Sequence, residues 1–172
     1  AGAYPLVPFH TRIRNATFEY AGRKAGLRVH PDSVPNALHG MGSREVWTAS
    51  DIRQDSATLA WSRNATPEWP WSFSASQTFA LEEDRLTLEF SLSNKDTVAM
   101  PGGFGWHPYF PSQTRFQCDA RIEWPIDGDY LPLGHSVPRD DLATTAYLSD
   151  WREVQLQTDS WSARMRAPEM SH

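Results

Sequence analysis

The chain has 172 residues and 40% apolar content, enough to bury one sizeable core, so a single domain over 1–172 is the expectation. Its 16 Lys and Arg are outnumbered by 21 Asp and Glu, giving a formal net charge of −5, and the basic residues nowhere cluster as a phosphate-tracking surface requires, which excludes nucleic acid as a partner. One cysteine, Cys118, permits no internal bridge; no Cys/His spacing suits zinc, no apolar run approaches the ~20 residues of a membrane span, and no signal-peptide plan opens the chain, so a cytoplasmic protein without membrane or metal is expected.

In chain order, the first informative stretch is Tyr4-Pro5-Leu6-Val7-Pro8-Phe9-His10-Thr11-Arg12-Ile13-Arg14. Its prolines fix the backbone ahead of Arg12 and Arg14 and favour an extended run that presents a guanidinium, with a solvated surface arginine as the alternative. The second stretch is Pro35-Asn36-Ala37-Leu38-His39-Gly40-Met41-Gly42, where glycines beyond His39 allow a tight turn or a close backbone approach. His39 there is either a site residue or a structural histidine.

Short alternations of apolar and polar residues follow at Ala57 to Trp61 and Ser72 to Phe79. In Arg85 to Ser93 the alternation is unbroken and places Leu86, Leu88, Phe90 and Leu92 on one face of a strand. The charged Glu82-Glu83-Asp84 between the last two runs predicts a hairpin turn, and Val154 to Gln157 predicts a further strand. Thirteen prolines and the lack of any helical apolar stripe predict helices that are short or absent. Strands with one wet and one dry face, joined by short turns, predict an all-β, antiparallel β-sandwich.

The third polar cluster is "GGFGWHPYF", Gly102 to Phe110, which sets His107 among four aromatic rings with a proline behind it. A crowded apolar setting penalises imidazolium, so His107 is either neutral filler or a proton carrier tuned by its surroundings. Arginine, two histidines and many aromatics, without a Gly-rich phosphate loop, suit a neutral polyhydroxylated ligand whose C–H faces stack on rings while fixed donors meet its hydroxyls. Trp69, Trp71, Trp106 and Tyr109 are candidate platforms, and core packing is the expected role of at least half of them.

"TRIR" at Thr11 to Arg14, "NALHG" at Asn36 to Gly40 and "GWHPYF" at Gly105 to Phe110 resemble the aldose 1-epimerase (galactose mutarotase) family, and the likeness runs roughly from Tyr4 to Trp151. The resemblance implies a supersandwich of large antiparallel sheets, open here to being incomplete at both ends because family chains are longer. It also implies an isomerase without cofactor, monomeric or homodimeric, that interconverts the α and β anomers of a free hexose of the galactose or glucose type. By residue, it implies His107 as general acid, His39 as a second sugar-contacting histidine and Arg12 as a ligand for sugar hydroxyls, with Trp106 and Tyr109 beside the substrate.

Opening a hemiacetal ring needs one proton delivered to the ring oxygen and another removed from the C1 hydroxyl, so an acid and a base must flank the sugar together. The family's base is a glutamate in a C-terminal Glu-Pro-x-Ser/Thr-His-like segment. This chain ends "APEMSH", with proline before Glu169, and Glu169 is the expected base. The family's sugar-binding aspartate maps to "DDLATTAYLSDW", where Asp141 is the candidate. Two alternatives stay open: a non-catalytic sugar-binding β-sandwich that has lost its base, and a hexose-6-phosphate 1-epimerase using Arg44 or Arg63 near C6. A glycoside hydrolase is disfavoured, since no pair of carboxylates is set apart by its context.

Overall fold

The computed structural model describes residues 2–139 and 145–167, and its regular structure there is strand plus three single-turn 3-10 helices. Contacts divide the chain into two compact units, Gly2–Pro108 and the residues from Tyr109 onward. No helix among the described residues is long and apolar enough to cross a membrane.

The first unit holds ten strands: β1 (Ala3–Leu6), β2 (Arg12–Ile13), β3 (Thr17–Tyr20), β4 (Arg23–Gly26), β5 (Ala37–Leu38), β6 (Thr48–Ser50), β7 (Ser56–Arg63), β8 (Phe73–Glu82), β9 (Arg85–Asn94) and β10 (Gly105–Pro108). Four of them form an antiparallel meander in the order β6-β7-β8-β9, and β1-β10, β2-β5 and β3-β4 are antiparallel pairs. The charged turn is where the sequence puts it: Glu82 pairs with Arg85, and Glu83 takes the left-handed φ of 52° that the two-residue connection demands.

Period-two patterning sets the faces of the meander. Across β8 and β9, Ala75 faces Leu92, Gln77 faces Phe90, Phe79 faces Leu88 and Leu81 faces Leu86, so the predicted apolar row of β9 continues a row on β8. The dryness of that row differs from the expectation along its length. Phe73 and Ala75 are buried, whereas Leu81 and Leu86 at the hairpin end are 53% and 54% exposed. Alternation dictates which residues share a face; how much of the face is covered depends on what packs on it.

What covers the Phe73 end is aromatic. Trp69, Trp71, Phe73 and Val7 are at most 1% exposed and centre the core with Ala25, Ala37 and Met41. Phe18 stacks on Trp71 at 6.0 Å and Phe9 on Trp69 at 6.0 Å, and each indole takes ~150–250 Å² out of water. Arg23 grips Asp96 with both terminal nitrogens, at 2.8 and 3.1 Å, and reaches the Pro70 carbonyl at 2.6 Å, which ties β4 to the loop beyond β9 and pulls the Asp96 carboxyl down to about 2.

In the second unit, β11 (Arg115–Cys118), β12 (Ile122–Trp124), β13 (Val137–Pro138), β14 (Tyr147–Ser149), β15 (Glu153–Gln157) and β16 (Ser162–Arg166) form two three-stranded antiparallel sheets, β11-β15-β16 and β13-β12-β14. The predicted Val154 to Gln157 strand is the central one of the first sheet. Its Leu156 is buried, and the Asp119 carboxylate at the end of β11 accepts the backbone N–H of Arg152 and Glu153 at 2.9 and 3.1 Å.

Candidate functional site

Backbone pairing within the first unit gathers His107, His39 and Arg12. On β1 and β10, Tyr4 is the direct partner of His107, and residues directly opposite in a ladder share a face. Their rings stack, with centroids 4.8 Å apart and planes 11° from parallel. On β2 and β5, Arg12 pairs with Leu38, so the next residue after β5 is His39.

The segment between β1 and β2 joins these two pairs. The Val7 carbonyl accepts the N–H groups of Met41 and Gly42 at 2.9 and 3.0 Å, the Thr11 carbonyl accepts that of His39 at 2.9 Å, and the Pro8 carbonyl accepts that of Gly103 at 2.8 Å. One stretch of chain is therefore clamped to the loop bearing His39 on one side and to the approach to His107 on the other. The outcome is an edge contact between the two imidazoles, with centroids 5.1 Å apart and planes at 72°, and Tyr4 6.4 Å from His39.

This close approach depends on backbone conformations that most residues avoid. His39 sits at φ 61° and Gly40 at φ 67°, while Thr11, bonded to His39, sits at φ 56°. A β-branched threonine in the left-handed region is a genuine outlier, and such outliers cost on the order of 1–3 kcal/mol each unless their surroundings over-determine them. The four backbone bonds supply that constraint, and the local strain lies at the residues that place His39.

Electrostatics then set the state of His39. Burial, followed by the charges of His107, Arg12, His30 and His10, lowers its pKa to about 4, so its imidazole is neutral at neutral pH. Its Nδ1 is buried and lacks a hydrogen-bond partner among the described residues, a state that buried polar atoms seldom keep without a ligand or water to satisfy them. An unfolded histidine binds its proton near 6.5, so between pH 6.5 and about 4 the unfolded chain holds more protons, and the stability contributed by neutral His39 is lost as pH falls through that window. Denaturant midpoints measured from pH 7 to 4 are expected to fall more steeply for the wild type than for His39→Gln; parallel curves would contradict the assignment.

The surrounding polar groups orient the set. Arg12 Nε donates to Ser33 Oγ at 2.9 Å, which fixes the plane of the guanidinium, and Ser33 is itself buried in the 3-10 turn Pro31–Ser33. His30 caps that turn by accepting the Asp32 N–H at its Nδ1. Asn36, 2% exposed, accepts the Asn15 N–H at 3.0 Å and so links the turn after β2 to the approach to β5.

The other predicted residues lie elsewhere. Trp69 and Trp71 are sealed in the core, so neither is a stacking platform: their indoles fill the space under β8. Trp106 pairs with Pro5 and, being one residue from His107 on β10, points to the opposite side of the strand. Tyr109 is 53% exposed and belongs to the second unit. Asp141 and Glu169 lie outside the described residues. Arg63 is held by Glu68 at 2.8 Å and Glu45 at 3.5 Å, whereas Arg44 donates to the Gly40 carbonyl at 3.1 Å, next to His39. The site roles of Tyr4 and Ser33 had no signal in the sequence, because both follow from pairings between distant segments.

Comparison with known proteins bears on the same segments. Residues 2–157 match the family model for aldose 1-epimerase. The uncharacterized proteins YphB and YihR of Escherichia coli (strain K12) are 34% and 30% identical to this chain over 126 and 134 residues, or 72% and 77% of it; the matches span only 42% and 44% of those proteins. A crystal structure of a provisionally assigned aldose 1-epimerase from Escherichia coli K12 aligns with a TM-score of 0.77 at 26% identity, covering 93% of this chain and 59% of that one. A galactose mutarotase-like protein from Clostridium acetobutylicum shares the fold at a TM-score of 0.68 and 22% identity, covering 81% of this chain and 46% of that one. The all-β architecture is thus galactose mutarotase-like, and with the family model spanning nearly the whole chain, including both histidines and Arg12, the protein belongs to the aldose 1-epimerase family.

Proposed function

We propose that the protein is an aldose 1-epimerase that interconverts the anomers of a free hexose of the galactose or glucose type. The observation that carries this reading is the juxtaposition of His107, stacked on Tyr4, with a neutral His39 whose buried Nδ1 has no partner among the described residues. Two imidazoles side by side suit a reaction that moves a proton to one oxygen while holding another.

In the proposed cycle His107 protonates the ring oxygen as the C1–O5 bond breaks, and a carboxylate takes the proton of the C1 hydroxyl, which becomes the aldehyde oxygen. Glu169 is the proposed base. Rotation about C1–C2 presents the other aldehyde face, and closure returns each proton to its donor. Arg12, with its plane fixed by Ser33, and His39 stabilise the oxygens on which charge develops. Asp141 and Tyr109 are the proposed further contacts to the sugar; Trp106, on the other side of β10 from His107, is not among them. A phosphorylated hexose is less well served: Arg63 is engaged by two glutamates, which leaves Arg44 as the only one of the two suggested cations beside His39.

Dissolving crystalline α-D-galactose or α-D-glucose and following optical rotation tests the proposal directly. The protein is expected to hasten the drift to equilibrium for at least one of the two; a sugar-binding protein without catalysis would leave the spontaneous rate unchanged.

A further inference from the structure

His10 belongs to none of the roles above, yet its surroundings are those of a site residue. Two of the clamp's three anchoring carbonyls flank it: that of Pro8, two residues before, holds Gly103, and that of Thr11, the next residue, holds His39. The imidazole lies against the bare backbone of Gly103, where an added Cβ would stand 3.4 Å from Cδ2 and 3.7 Å from Nε2, and one on Gly105 would stand 3.9 Å from His10 Cβ. The ring thus lies beside the backbone of Gly103, four residues before His107 on the segment that leads into β10. Neither of its nitrogens makes a hydrogen bond among the described residues, and the side chain remains exposed to solvent.

We infer that His10 is a third histidine of the sugar site, a specificity-determining residue that hydrogen-bonds a hydroxyl remote from the anomeric carbon. Four observations converge on this. The ring lies beside Gly103 on the approach to β10, its donor and acceptor are unused, it is open to a ligand, and it is among the groups that lower the proton affinity of His39. It makes no ring contact with His39 or His107, so it stands beyond the reacting pair and addresses a different part of the substrate. Partial burial also lowers its proton affinity, which keeps it a neutral donor and acceptor near pH 7.

A hydroxyl contact made equally in the ground and transition states affects KM and leaves kcat alone, and it separates sugars that differ at that hydroxyl. The inference rests on the epimerase reading, and the test separates the two. Mutarotation of D-galactose and D-glucose is measured by polarimetry for the wild type, His10→Ala and His10→Gln, and the His10 ring resonances are followed by NMR during titration with each sugar. His10→Ala is expected to raise KM roughly 5–10-fold, the scale of one net hydrogen bond, unequally for the two epimers and with kcat nearly unchanged. His10→Gln, which keeps a donor and an acceptor, is expected to recover most of that loss, and the wild-type resonances are expected to shift at saturation. An active wild type whose His10 signals stay still, or an unchanged KM in His10→Ala, overturns the inference and leaves the epimerase standing. Shifting His10 signals without rate enhancement support the contact and overturn the epimerase; absence of sugar binding overturns both.

Discussion

His107→Ala is expected to lower the catalysed rate of anomer interconversion at least ~100-fold, the usual scale for a general acid. The loss should fall on kcat, because a proton delivered to the departing ring oxygen acts in the transition state and contributes little to holding the closed sugar. Folding is a separate matter, since the substitution also removes one ring of the Tyr4–His107 stack, worth about 0.5–1.5 kcal/mol. His107→Phe keeps an aromatic ring beside Tyr4 and removes the proton, so it should regain stability without activity. A His107→Ala protein that remained folded and fully active would remove the acid assignment. Glu169→Ala is expected to lose ~100-fold as well, as the proposed base; full activity there would end the Glu169 assignment and leave that of His107 intact.

Gly40→Ala is expected to be the most damaging conservative change in the first unit. A Cβ at residue 40 would stand 2.6 Å from the Val7 carbonyl carbon and 2.9 Å from the Phe9 carbonyl oxygen, closer than any real side chain tolerates, and the φ of 67° disfavours every residue with a Cβ. The obstructing atoms are backbone, held by the Met41, Gly42 and Gly103 bonds, so they cannot rotate aside. Overpacking and left-handed strain together should cost roughly 3 kcal/mol, lowering Tm by about 6–12 °C in a chain of this size. Because Gly40 is adjacent to His39, sugar affinity should fall with stability. A variant with wild-type Tm would show that the Val7–Gly40 approach is looser than described.

The chain's sequence determined its patterns of local chemistry. Alternation placed Leu86, Leu88, Phe90 and Leu92 on one face, the acidic turn set the hairpin, and the prolines kept helices to single turns, because each of these depends on neighbours within a few residues. His39, His107 and Arg12 stood out by residue type and by a likeness that the family model matches. Tertiary structure alone decided how those residues meet. Tyr4 stacks on His107 only because β1 and β10, about a hundred residues apart, pair in that register; Arg12 is oriented by a serine 21 positions away; and the charge state of His39 comes from burial and from neighbouring groups brought in from three segments. The same limit explains the tryptophans. Residue type marks Trp69 and Trp71 as large amphipathic rings, and only long-range packing determines whether such a ring faces a sugar or fills the core, which here is where both lie.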